Sequence, residues 1–157
     1  MEGRIAVRFG EDSLSGKLAW AHLVERDELN LASPLGNVLA RIVRDAGGVV
    51  LTNSSLEQFR AVDAETLTER QLGWRLPLAG LAQWILARPS TAPGAGPVEG
   101  ERDASRRWQR LRQAGWEIDF SYENEAATLP KRVVLNYPRA DKPLEIRVAI
   151  DRWSLPE

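Results

Sequence analysis

The side chains able to do chemistry are few, and their spacing limits what they can do. The one histidine, His22, alternates in register with Leu18 and Trp20. A nucleophilic triad needs such a base beside a serine. A histidine in step with apolar neighbours reads instead as a satisfied pocket or core residue. Two carboxylate pairs, Glu117 with Asp119 and Glu123 with Glu125, could do acid–base work. They occupy the polar positions of an alternating segment and read as a solvated face. Arg102, Arg106, Arg107, Arg110 and Arg112 surround Trp108. Without a basic balance or a triplet of stacking aromatics, they read as the wet side of an edge hairpin, with arginine stems covering apolar surface. The chain has no cysteine, which excludes disulfides and thiol catalysis. It has no glycine-rich phosphate loop, no GxSxG elbow and no metal-ligand spacing. No cofactor and no metal are expected.

One apolar residue stands where water should be. In Leu31-Ala32-Ser33-Pro34-Leu35-Gly36-Asn37, Pro34 and Gly36 punctuate a turn between two strands and hold Leu35 between them. A turn tip is normally polar. Leu35 either folds back on the sheet edge or meets something apolar, such as a membrane or a ligand.

The composition is that of an ordinary folded domain: 157 residues, 43% hydrophobic, 27% charged, net charge -1. A near-neutral balance gives no field to draw nucleic acid. Six tryptophans against three phenylalanines are unusual; tryptophan suits pocket walls and interfaces as well as cores. No apolar run is long enough to span a bilayer. The first residues lack the apolar stretch of a signal peptide, so the chain reads as soluble and unanchored as given.

The elements that must position these residues have mostly a period of two. Residues 4–9, 16–24, 28–32, 37–44, 48–52 and 57–62 read as strands. Asp63 then caps a helix that stops at Gly73, and a second short helix follows Pro77 through Leu81, Trp84 and Ile85. Residues 87–101 carry three prolines and three glycines and read as a long loop. Strands resume at 105–113, 115–123, 131–137 and 144–153. The clearest are Trp116-Ile118-Phe120-Tyr122 and Leu144-Ile146-Val148-Ile150. About ten one-faced strands in so short a chain form an antiparallel sheet with one wet side, and it must curl. The predicted class is α+β, predominantly antiparallel β. It is a curled sheet with the two helices as a lid over an apolar concavity able to hold one small ligand.

Four pieces of the chain, in order, are similar to the LolB family of outer-membrane lipoprotein receptors. They are Trp20 with Leu31-Ala-Ser-Pro-Leu-Gly36; Leu72-Gly73, Leu76-Pro77-Leu78, Leu81, Trp84-Ile85-Leu86 and Pro89; Gln113-Ala-Gly-Trp116 with Tyr122; and Leu129-Pro130 with a closing strand ending in Trp153. The resemblance runs from Gly3 to Trp153 and makes residues 1–157 a single LolB-like lipoprotein-binding domain. It implies a half-open barrel and a monomeric receptor with no catalytic role. Such a receptor takes lipoproteins from the periplasmic carrier LolA and releases them into the inner leaflet of the outer membrane. The family's lipidated cysteine, signal and first helix are expected to be missing, because the chain starts at the first strand. In the family an exposed loop leucine assists release, and Leu35, between Pro34 and Gly36, matches it.

The expected cavity lining is Val7, Trp20, Leu31, Val38, Trp116, Phe120, Leu135, Ile146 and Val148 from the strands, with Leu81, Trp84 and Ile85 from the lid. Face assignments rest on register, which a one-residue slip inverts. Two other functions fit the sequence: a general carrier of lipids or hydrophobic ligands with the same architecture, and a hydrolase acting through Glu117 or Glu123.

Overall fold

The structure, a computed structural model, describes residues 1–138 and 142–154. Its strands are β1 (Glu2–Phe9), β2 (Asp12–Leu23), β3 (Arg26–Ala32), β4 (Val38–Asp45), β5 (Gly48–Asn53) and β6 (Gln58–Ala61), then β7 (Glu99–Arg102), β8 (Trp108–Gln113), β9 (Trp116–Ser121), β10 (Arg132–Tyr137) and β11 (Leu144–Arg152). Two helices, α1 (Ala64–Leu72) and α2 (Leu78–Trp84), separate β6 from β7. The strands hydrogen-bond in the order β6-β5-β4-β3-β2-β1-β11-β10-β9-β8-β7, so the sheet is not closed and β6 and β7 are its edges. The expected class, antiparallel β with two short helices, is what the chain adopts. Its contacts divide it into two compact units.

The first unit comprises Met1–Ile5, Ser15–Leu78 and the chain from Asp151. Its core is a set of rows running across the strands. Leu18, Leu31 and Ala40 stand opposite one another, as do Trp20, Leu29, Ile42, Leu51 and Phe59. All but Phe59 are buried. Each such aliphatic side chain removed from water contributes roughly 1.5–3 kcal/mol, and period-two alternation aims them at one face. Helix α1 lies against β5 and β6 and buries Ala64 and Leu67. Asp63 caps it by accepting from the Thr66 N–H at 2.7 Å, and Gly73 ends it at φ 84°. The next segment is tied down by the Thr68 hydroxyl, which donates to the Ala64 carbonyl and accepts the Leu76 N–H at 2.9 Å.

The second unit comprises Ala6–Leu14 and Ala79–Ile150. Leu111, Ile118, Leu135 and Ile146 form a completely buried row, with Phe120, Val133 and Val148 beside it. The outward rows pair opposite charges across strands: Arg110 faces Asp119 and Arg112 faces Glu117.

Three expectations need correction. Residues 87–101 do not stay outside the sheet, since Glu99–Arg102 pair with β8 as an edge strand. The strand expected from residue 105 starts at Trp108, because Asp103 accepts the Ser105 and Arg107 N–H groups in a tight turn. Val38 was expected to point inward and is 54% exposed. Leu31 opposes Ala40 while Ala32 opposes Val38, so Leu39 is an extra residue on β4. That bulge turns Val38 to the outward row of Lys17 and Ala32.

The Asp63 carboxyl is held below its ordinary pKa, first by the Thr66 backbone N–H and then by the Thr66 side chain. A lowered carboxylate pKa stabilises the fold above the unfolded value, and that stability is lost as pH falls through the folded one. Asp63→Ala should cost about 1 kcal/mol at neutral pH. The deficit should shrink as pH drops below about 4, while Asp63→Asn stays near wild type at neutral pH. Urea unfolding at several pH values checks this; a deficit independent of pH would contradict it.

Candidate functional site

In the first unit, Trp20 and Leu31 sit in the buried rows. The row beyond Trp20 is polar: His22 opposes Asp27, which opposes Arg44. Asp27 is 0% exposed and fully partnered. It accepts from the Trp20 indole N–H at 3.0 Å, from Arg44 Nε at 2.7 Å and Nη2, and lies against His22 Nδ1. A buried carboxylate without such donors would cost several kcal/mol. His22 is therefore satisfied, as expected, but it does not lie in the core. It is an exposed end-of-strand residue whose ring packs edge-on against Trp20, with centroids 6.1 Å apart, and it faces a carboxylate rather than a hydroxyl.

Pro34, Leu35 and Gly36 form the β3–β4 connection. The Gly36 N–H donates to the Ser33 carbonyl at 2.8 Å, the Ser33 N–H to the Asn37 carbonyl at 2.8 Å, and the Asn37 N–H to Ser33 Oγ at 3.1 Å. Gly36 has φ 94°, which a side chain would strain. This closed frame leaves Leu35 91% exposed. Of the two readings open in the sequence, the leucine folded back on the sheet edge is excluded.

In the second unit, Val7, Leu81, Trp84, Ile85, Trp116, Phe120, Leu135, Ile146 and Val148 are all buried. Trp84, at the end of α2, meets Trp116 of β9 with centroids 6.4 Å apart, and Trp116 meets Tyr137 of β10 at 4.8 Å. Trp84 is oriented by Gln113, whose only signal in the sequence is its place in the LolB-like run Gln113-Ala-Gly-Trp116; a glutamine next to Arg112 on a strand otherwise reads as surface. Gln113 is buried. Its Oε1 accepts the Trp84 indole N–H at 2.9 Å and the Ser90 N–H at 2.8 Å, and its Nε2 donates to the carbonyls of Ser90 at 2.9 Å and Gly96 at 3.1 Å. One side chain thus fastens both α2 and the proline–glycine loop to β8.

The arginine cluster is ion-paired and stacked. Arg110 holds Asp119 at 2.7 Å, Arg112 holds Glu101 at 3.0 Å and Arg107 holds Asp103 at 2.8 Å. Arg102 lies over the Trp108 ring and Arg107 over Tyr122, each 4.1 Å from the ring centroid. The guanidinium pKa values of Arg110 and Arg112 are raised, first by the hydrogen bonds to Asp119 and to Glu101 respectively. Glu117 and Asp119 are the other halves of these pairs, and Glu123 is held by Lys131 at 3.2 Å. Glu117 and Asp119 stand on the charged outward face, as the alternation predicts, while Glu123 lies exposed just past the end of β9. Among the described residues no group of side chains could hold a metal ion, and no helix is long and apolar enough to cross a membrane.

These features define a class: an antiparallel β domain with buried apolar rows, a short helix on the rows of each unit, and an apolar residue presented on an internally hydrogen-bonded loop. The family model for the outer membrane lipoprotein LolB matches residues 1–153. The chain is 41% identical over 154 residues to the outer-membrane lipoprotein LolB of Thiobacillus denitrificans, covering 98% of this chain and 78% of that one. It is 36% identical over 160 residues to the same-named protein of Nitrosomonas europaea, covering 98% and 71%. With that of Azoarcus sp. it shares 35% over 155 residues, covering 98% and 76%. The chain belongs to the LolB family.

Gln113→Leu keeps the side-chain volume and strands the four groups that Gln113 serves. It should cost about 2–4 kcal/mol and raise protease cutting in residues 87–98. Urea unfolding with limited proteolysis checks this; a loss under about 1 kcal/mol would show that the glutamine is not what fastens α2.

Proposed function

We propose that this protein binds the acyl chains of lipoproteins delivered by a LolA-like periplasmic carrier and releases them into the inner leaflet of the outer membrane, as a monomer and without catalysis. The observation that carries this reading is the pairing, in each unit, of water-excluded apolar rows with one short helix. In the first unit α1 rests on β5 and β6. In the second, Trp84 of α2 rests on Trp116 and is fastened by a single glutamine. Side chains held this way can exchange their contact with one another for contact with hydrocarbon. The expected lining residues, Val38 excepted, are the ones this reading assigns to the acyl chains.

The energetics suit transfer rather than chemistry. Each methylene withdrawn from water is worth about 0.8 kcal/mol, so an acyl chain contributes on the order of 10 kcal/mol. A triacylated protein needs its chains covered throughout an aqueous crossing. Passing them from one apolar site to a better one requires only a difference in affinity. Leu35, exposed on its closed loop, is assigned to the release step. The names of the relatives, outer-membrane lipoproteins, support the location.

Two measurements test the proposal. Mass spectrometry of material co-purified from the bacterial envelope should find lipopeptide; fatty acid or phospholipid alone would indicate a general lipid carrier. Leu35→Glu should slow delivery of bound lipoprotein to liposomes at least tenfold, about the worth of one leucine contact, with lipoprotein binding unchanged. Delivery at the wild-type rate would remove the role assigned to Leu35.

A further inference from the structure

A second loop at the same end of the first unit repeats the frame that presents Leu35. In the β5–β6 connection the Leu56 N–H donates to the Asn53 carbonyl at 3.1 Å and the Asn53 N–H to the Glu57 carbonyl at 3.0 Å. The Glu57 N–H donates to Asn53 Oδ1 at 3.0 Å. Each of these bonds has its counterpart between Ser33, Gly36 and Asn37. The frame needs a positive φ at its fourth residue. Glycine supplies it in the first loop, at 94°, but in the second the residue is Leu56, at φ 64°. Leucine is a poor choice there, since glycine, asparagine or aspartate adopt that conformation at less cost. It is also a poor choice for water, because Leu56 is 82% exposed.

The register sets the two loops side by side. Ala40 of β4 opposes both Leu31 of β3 and Asn53 of β5. The connections leaving these strands therefore project from one end of the unit, about two strand spacings or 10 Å apart. Val38, turned outward by the bulge, stands at the same end. The tips are the less charged end: residues 33–38 and 52–56 contain no acidic or basic side chain, and the charges beside them are Glu57, which closes the second frame, and Lys17, in the outward row of Val38. The opposite end also exposes apolar residues, Leu23, Val24 and Val62. There they are mixed with Glu25, Arg26, Asp45 and Asp63, charges that resist transfer out of water.

We infer that Leu56 is a second membrane-contacting residue, which with Leu35 and Val38 makes a two-loop apolar edge that rests on a phospholipid bilayer. The inference builds on the release role proposed for Leu35. Two contacts about 10 Å apart define a line, and so fix how the unit is oriented on the bilayer, which one leucine cannot do. The surface suits a bilayer because it pairs apolar tips with loops in which the N–H groups of Ser33, Gly36, Asn37, Asn53, Leu56 and Glu57 are bonded within the loop.

Because the chain has no cysteine, single Leu35→Cys, Leu56→Cys and Val24→Cys variants can each be labelled with a polarity-sensitive fluorophore. They are then mixed with vesicles of phosphatidylethanolamine and phosphatidylglycerol. Labels at 35 and 56 should shift to the blue and be quenched by bromine on the lipid chains, while the label at 24 should not. Leu56→Asn, compatible with the positive φ, should keep the melting temperature and lower vesicle binding of the otherwise unaltered chain about tenfold. A response at 35 alone, or wild-type binding by Leu56→Asn, would overturn the two-loop edge and leave the role of Leu35 standing. No response at either position would overturn both.

Discussion

Everything in this chain depends on keeping water from one face of a sheet whose other face is wet. Strand alternation supplies the apolar rows, but rows alone are unstable in water; each must be covered. In the first unit α1 rests on β5 and β6, and in the second Trp84 of α2 rests on Trp116. The cover is light. Helix α2 has seven residues, below the length at which a helix persists by its own hydrogen bonds. It holds its form only while its apolar side chains stay against the strands. On the function proposed above, such a cover is stable in water and gives way when hydrocarbon is present.

The polar devices mark where the apolar rows end. Asp27 gathers the Trp20 indole, His22 and Arg44 at one limit of the first unit's rows. Gln113 gathers the Trp84 indole, Ser90 and Gly96 in the second. Both take an indole N–H, so each buries a tryptophan without leaving its one donor unpaired. These two side chains account for the burial of two of the six tryptophans, Trp20 and Trp84. The outward rows do the opposite work: cross-strand pairs such as Arg110 with Asp119 hold the wet face charged but neutral.

Local pattern carried much of this. The alternation of Trp116, Ile118 and Phe120 named the buried face of β9, and Asp63 and Gly73 bounded α1 as capping chemistry requires. The turn at Pro34 and Gly36, with a leucine between, was legible because a turn tip has its own residue rules. What escaped was non-local. The bulge at Leu39 is a property of pairing with β3, so the alternation that placed Val38 inward had no means of detecting it. Edge strand β7 lies at the end of a segment rich in proline and glycine and is held only by its partner β8. Gln113 and Asp27 look like surface residues until the donors that converge on them are brought together by the fold. His22 was misplaced for a related reason: it has the right parity for the core but sits one row past its end.

The central claim is that acyl chains take the place of contacts now made among buried side chains. Trp20, Trp74, Trp84 and Trp116 are buried, so their emission reports directly on what reaches the rows. A synthetic lipopeptide carrying bromine near the ends of its acyl chains should quench that emission in proportion to binding, while the same peptide without acyl chains leaves it unchanged. Saturable binding of the brominated lipopeptide with undiminished tryptophan emission would place the chains on the outer surface and contradict the account.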